Sequence, residues 1–195
     1  GAASVHLPTA ASGNAVNVRV AALTGSKNYD GSSSIAASKL TVANNVDGAN
    51  LTLSGTGTLA SAACGLHSLA GSGTLALGGA AAGNYTLDGA TSAVRINPAP
   101  ATHYFVTPQN TPLNINAATL AGLDYNGPGT TLTFGGLTGS ATAQGGTVAY
   151  DGTQITYTPP GSSFTGLDQF TYTVNDNHGG SATDTLKVTV QTSLP

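Results

Sequence analysis

The chain has 195 residues and a mass of 19.0 kDa, with 27 glycines, 6 % aromatic residues and only 7 % charged ones. Five Lys and Arg against eight Asp give a formal charge of −3, too few cations to neutralise a nucleic-acid backbone. Glu and Met are absent, which removes the usual builders of long helical bundles. Such low charge with regularly spaced apolar residues also excludes a disordered polyampholyte. A β-rich protein coated with hydroxyl and amide groups remains.

Along the chain, Gly1-Ala2-Ala3-Ser4 lacks the basic and apolar regions of an intact signal peptide and is expected to be the start of an excised or processed chain. No apolar run approaches the ~20 residues needed to span a bilayer, so no membrane insertion by this segment is expected. Val16, Val18 and Val20 alternate, as do Leu51 and Leu53, then Leu75 and Leu77, each the period-2 signature of a strand. The Ala-rich stretch from Ala60 to Leu69 has room for a helical turn, but its Gly and Ser argue against a long helix. Cys64 is the only cysteine, so no intramolecular disulfide forms and no Cys-based zinc site exists.

At Asn97-Pro98-Ala99-Pro100-Ala101-Thr102 two prolines force extended backbone. The composition changes there from Ala, Gly, Ser and Leu to a half rich in Phe and Tyr. The reading is an all-β chain of two tandem Ig-like β-sandwich domains, residues 1–98 and 104–195, joined by a short Pro-rich linker over 99–103. In the second half Thr147–Tyr150 and Gln154–Tyr157 flank the hairpin turn signal Asp151-Gly152. Pro159-Pro160 ends that second strand. Phe170, Tyr172 and Val174 alternate with Thr171 and Thr173, Asn175–Gly180 reads as a turn, and Ala182, Leu186, Val188 and Val190 define the core face of the last strand. Thr183, Thr185, Lys187 and Thr189 point outward on that reading.

Two resemblances follow from these residues. Residues 16–97 contain Leu23-Thr24-Gly25-Ser26-Lys27-Asn28-Tyr29-Asp30-Gly31, Val46-Asp47-Gly48-Ala49-Asn50-Leu51-Thr52-Leu53-Ser54-Gly55, Cys64-Gly65 and Ala82-Gly83-Asn84-Tyr85-Thr86-Leu87. In that order they resemble the YDG-type repeat domain of bacterial haemagglutinin-like adhesins. Residues 104–190 carry Ile155-Thr156-Tyr157-Thr158-Pro159-Pro160, then Phe164 to Val174, then Asp176-Asn177-His178-Gly179-Gly180. They resemble the bacterial Ig-like or cadherin-like tandem repeat of large surface proteins. Where relatives of this second family place an Asp-rich loop, the chain reads Leu123-Asp124-Tyr125-Asn126-Gly127-Pro128-Gly129.

The site candidates each carry a second reading. Asp30 is a ligand-contacting turn residue or the acceptor of an Asx-turn, with Tyr29 packing and Gly31 at positive φ. Asp168, Asp176, Asn177 and Asp124, with Asn175 and Asp184 in support, offer oxygens to a calcium ion or cap turns. His6, His67, His103 and His178 show no metal-ligand spacing; Cys64 and His67 form a nucleophile pair only if folded together, and Cys64 otherwise reads as a small buried residue. No nucleophile elbow and no pair of acids placed for acid–base work occurs, so no catalytic residue and no enzyme is expected. Asn50 and Asn84 sit in sequons. Lys27, Lys39 and Lys187 are the lysines open to an intramolecular amide cross-link if one is buried beside an acid, and the outward place of Lys187 argues against it.

The resemblances imply a structural or adhesive repeat module of a large secreted or surface-exposed bacterial protein, in a Gram-negative bacterium. Expected partners are neighbouring repeats, copies of itself, and surface glycans or matrix, with no cofactor beyond calcium. The alternatives are a subunit of an extracellular filament joined by edge-strand addition, donating residues 1–15 or 191–195, and a carbohydrate-binding module. The last ranks lower because most tyrosines alternate into strands.

Overall fold

The computed structural model describes residues 18–192. The first half is built from β1 (Arg19–Asn28), β2 (Ser34–Ala36), β3 (Leu40–Val42), β4 (Thr52–Ser54), β5 (Thr56–Leu59), β6 (Gly65–His67), β7 (Leu69–Gly71), β8 (Ala76–Gly78) and β9 (Tyr85–Asn97). Its largest sheet runs β3-β1-β9-β6, with β1 and β9 parallel. A three-stranded sheet β2-β5-β7 and the pair β4-β8 complete it. Parallel neighbours need a long connection, and the many short strands between β1 and β9 supply it while closing over their apolar face. The core is aliphatic, centred on Leu23, Ile35, Leu59, Val94 and Ile96.

Leu51 and Leu75 are buried, and Leu53 and Leu77 pack against the core as half-buried neighbours. The valine stripe is different. Val18 and Val20 are 49 % and 47 % exposed, Val16 lies outside the described residues, and Ala21, Leu23 and Lys27 face inward instead. A strand's faces alternate strictly, so burying Leu23 sends the valines to solvent. Residues Ala60 to Leu69 hold no helix; they contain β6 and the start of β7.

The second half holds β10 (Thr102–Pro108), β11 (Leu113–Asn116), α1 (Ala117–Ala121), β12 (Leu132–Leu137), β13 (Thr147–Tyr150), β14 (Gln154–Thr158), β15 (Gly166–Asp176) and β16 (Ser181–Gln191). One sheet runs β10-β16-β15-β12 and the other β11-β14-β13, a β-sandwich around Tyr157, Tyr172, Ile155, Leu186, Val174 and Val188. The β13–β14 hairpin forms at Asp151, whose Oδ1 accepts the amides of Thr153 and Gln154 at 2.8 and 2.7 Å. In β15 the residues Asp168, Phe170, Tyr172, Val174 and Asp176 are all buried, and in β16 Ala182, Asp184, Leu186, Val188 and Val190 are. The short helix α1, capped by Asn116 Oδ1 on Thr119 N at 2.9 Å, buries Leu120 and Ala121. The two cores share no residue. Strand β10 starts at Thr102, so the stretch between strands is 98–101.

Candidate functional site

The turn around Asp30 is organised by a cation the alternation hides. Lys27 lies on the inward face of β1 with its side chain only 7 % exposed. Its ammonium donates to Asp30 Oδ1 at 2.6 Å, Ser32 O at 2.7 Å and Ser34 O at 2.9 Å, which uses all three of its protons. Asp30 Oδ1 also accepts Ser32 N at 2.9 Å, the expected Asx-turn, and Gly31 has φ +75°. The hydrogen bond from Lys27 holds the Asp30 carboxyl below its usual range. Of the three lysines weighed for a cross-link, Lys27 is the one buried beside an acid. Lys187 is half-buried with its ammonium 5.7 Å from the Tyr104 ring centroid.

The calcium candidates separate. Asp168 and Asp176 stand at opposite ends of β15, roughly 26 Å apart at about 3.3 Å per residue, so they share no site. Asp168 is 1 % exposed and its carboxylate is saturated. Oδ2 accepts the hydroxyls of Thr142 and Tyr157, and Oδ1 accepts the amides of Gln144 and Gln169. It ties the 142–144 loop to the start of β15 and to β14. Asp176 Oδ1 accepts His178 N and Gly180 N and closes the β15–β16 turn. The Asn177 amide is spent on Thr131 N and Gly129 O, and Asn175 is exposed.

Asp124 lies in a different group. His103 on β10, Asp124 in the loop after α1 and Asp184 on β16 bring one ligand atom each to within 4.8 Å of the others. His103 Nε2 is 3.1 Å from Asp124 Oδ2. Asp184 is fully buried; its Oδ1 accepts Ala101 N at 2.8 Å, and its Oδ2 has no partner. Tyr172, the cross-strand partner of Asp184, is also fully buried with an unpartnered hydroxyl. Burial first, then the neighbouring Asp124, raises the Asp184 carboxyl above its usual range. Burial and the same two carboxylates push the Tyr172 phenol up. From sequence, Asp184 is only a supporting ligand and stands outside the core-face set Ala182, Leu186, Val188 and Val190. The same alternation that runs through Ala182 and Leu186 places it on that face.

This group borders the junction between the halves, which is knitted by several bonds. Arg95 donates to His178 O at 2.7 Å, Ala99 N to Asn126 Oδ1 at 2.7 Å, and Thr185 N to Ala101 O at 2.9 Å. Tyr29 meets Tyr125 edge-on with centroids 6.4 Å apart. Gly127, at φ +91°, leaves room for the Tyr29 ring, since a Cβ there would lie 2.9 Å from Cε2. The turn after Tyr29 and the departure from the Asp-rich pattern at 123–129 thus meet each other.

Cys64 is buried, and burial first, then the charge of Asp176, pushes its thiol up, the opposite of an activated nucleophile. His67 Nε2 is engaged with Ala63 O at 2.8 Å, and His6 lies outside the described residues. Lys39, Asn50 and Asn84 are exposed, the two asparagines each ending a single 3₁₀ turn. Tyr85, Tyr157 and Tyr172 alternate into the cores, but Tyr104 and Tyr125 are 70 % and 74 % exposed. Two exposed tyrosines weaken the ground for ranking carbohydrate binding low. No helix among the described residues is long and apolar enough to cross a membrane.

Residues 12–93 match the family model of the YDG domain and residues 96–189 that of a bacterial Ig domain, in the order the resemblances imply. No curated protein matches the chain. Nine chains of solved structures match. One is the endo-fucoidan hydrolase MfFcnA4 from glycoside hydrolase family 107, 14 % identical over 91 % of this chain and 28 % of that one. Its TM-score of 0.28 carries no argument, and the chain spans little more than a quarter of that enzyme's length.

Proposed function

We propose that this chain, a YDG domain followed by a bacterial Ig domain, is a non-enzymatic structural and adhesive module of a large surface-exposed bacterial protein. The junction supports this reading most. Arg95, Asn126, Tyr29 and Tyr125 bind the end of one domain to the next through side chains as well as through the linker. A stiff connector transmits position and load along a stalk, and a freely jointed pair does not. The chemistry of these acids agrees: Asp30, Asp151, Asp168 and Asp176 hold turns and strand ends. A bacterial Ig domain also fits a place outside the cell; a Gram-negative source is part of the proposal.

Labelling intact producing cells with an antibody to this chain tests the placement. Signal without permeabilisation, lost on protease treatment of whole cells, is expected; signal only after permeabilisation overturns it. A glycan and matrix array probed with the same chain tests adhesion, and the exposed Tyr104 and Tyr125 are the side chains whose replacement by Ala is expected to remove any glycan signal.

The filament reading has one observation in its favour. Strand β10 is the edge of its sheet and leaves Tyr104 and Val106 exposed, a surface on which another strand can pair. The proposed donor segment 1–15 lies outside the described residues, as do 193–195, and Gln191 already pairs with Pro108. A monomer that stays monomeric as concentration rises, with no filaments by electron microscopy, counts against it.

A further inference from the structure

We infer that His103, Asp124 and Asp184, with Tyr172 beside them, form a binding site for a zinc-like transition-metal ion that staples the Ig domain to its linker. A protein with one cysteine has no disulfide to fix a long-range contact, and a small domain without one gains from a metal. The three ligand atoms come from β10, the loop after α1 and β16. Asp184 additionally holds Ala101 N through its other oxygen at 2.8 Å. An ion here fastens four parts of the chain at once.

The second observation is the unpaired polar atoms. Asp184 Oδ2 and the Tyr172 hydroxyl are fully buried and have no hydrogen-bond partner, although a buried polar group without one costs about 1–3 kcal/mol. Two carboxylates held this close repel each other unless a proton or a cation lies between them. A divalent cation satisfies the free oxygen and removes the repulsion together.

The donor set decides which cation. Calcium takes six to eight oxygens, and this group offers one imidazole nitrogen and two carboxylates. The calcium that the family resemblance implies therefore does not fit these residues. A four-coordinate ion bound by His nitrogen and carboxylate oxygen does. Ligand atoms on bonds of about 2.0–2.1 Å stand roughly 3.3 Å apart in a tetrahedron, and His103 Nε2 to Asp124 Oδ2 is 3.1 Å. The fourth position is left to a water.

The test uses the full chain stripped with a chelator, titrated by calorimetry with zinc chloride and separately with calcium chloride. Zinc is expected to bind one to one, and to raise the melting temperature by about 5 °C or more at saturation. His103→Ala and Asp184→Asn are each expected to weaken zinc at least ~100-fold, beyond the usual effect of an outer-shell partner. Asp184→Asn keeps an acceptor for Ala101 N, and circular dichroism confirms that each variant is folded. Cobalt in the unmutated chain gives a readout that needs no variant: intense visible bands of a tetrahedral ion are expected. Absence of zinc binding, zinc binding unchanged in both variants, weak octahedral cobalt bands, or a calcium-driven stabilisation that depends on Asp124 and Asp184 each overturns the inference.

Discussion

Replacing Lys27 by Met separates two readings of the first domain's signature turn. The ammonium is 93 % shielded at the side chain and donates to two backbone carbonyls, Ser32 O and Ser34 O, and to one carboxylate. Each charge-assisted bond to a carbonyl contributes about 1.5–3 kcal/mol, and each carbonyl left without a donor costs part of that again. Met fills a similar volume and avoids burying a charge, which returns an estimated 1–2 kcal/mol. The net expectation for Lys27→Met is a loss of about 2–4 kcal/mol. Asp30, by contrast, is 58 % exposed at the side chain, so its ion pair is screened and contributes about 0–1 kcal/mol. Asp30→Asn keeps an acceptor for Ser32 N and is expected to cost no more than that. The sign with pH follows from the depressed Asp30 carboxyl: its contribution is complete above the unfolded value near 3.8 and disappears as pH falls through the lower folded value. The gap between wild type and Asp30→Asn therefore closes in acid. Urea denaturation followed by circular dichroism measures both variants, with hydrogen exchange on peptides from residues 19–97 assigning the transition to the first domain. A Lys27→Met loss below about 1 kcal/mol, or an Asp30→Asn loss equal to it, refutes the carbonyl-anchoring argument.

Three further outcomes are expected. Asp168→Ala leaves the hydroxyls of Thr142 and Tyr157 and the amides of Gln144 and Gln169 without their acceptor, and is expected to destabilise the second domain by about 3–5 kcal/mol in thermal unfolding. Without metal, Asp184→Asn is expected to stabilise the chain at neutral pH: burial raises the wild-type carboxyl, so wild type is favoured below the unfolded value and loses that contribution as pH rises through the folded one. Melting temperatures of the two chelated proteins at pH 4 and pH 7 check it, and a variant less stable than wild type at both contradicts it. Arg95→Ala removes the bond to His178 O and is expected to raise hydrogen exchange in the 177–180 turn while leaving β5 unchanged.

The parts of this molecule that sequence makes legible are those where one periodicity acts alone. In β15 and β16 every second residue is buried over nine positions, 168–176 and 182–190, and the strands, their turn and the outward threonines follow directly. The Asp151-Gly152 hairpin is legible for the same reason, since its turn chemistry is local. In β1 the valines compete with Ala21, Leu23 and Gly25 for the inward face, and the run of alternating valines points to the wrong set. Lys27 is reached only by counting on from Leu23. Helix α1 has five residues, too few to show a helical period. The candidate site is half legible: Asp124 and Asp184 stand out as carboxylates, but nearness in sequence joins Asp168 to Asp176, which an extended strand holds apart. His103 enters only through the parallel pairing of β10 with β16, where it faces Leu186 in register, and no local signal encodes that pairing.

The bonds of Arg95 and Asn126 and the Tyr29–Tyr125 contact predict that the two domains move as one stiff segment. Amide ¹⁵N relaxation of the full chain measures this directly, comparing β9 in the first domain with β15 and β16 in the second. One shared rotational correlation time is expected, that of a 19.0 kDa particle; two distinct and shorter times, one for each domain, would mean that the junction is loose.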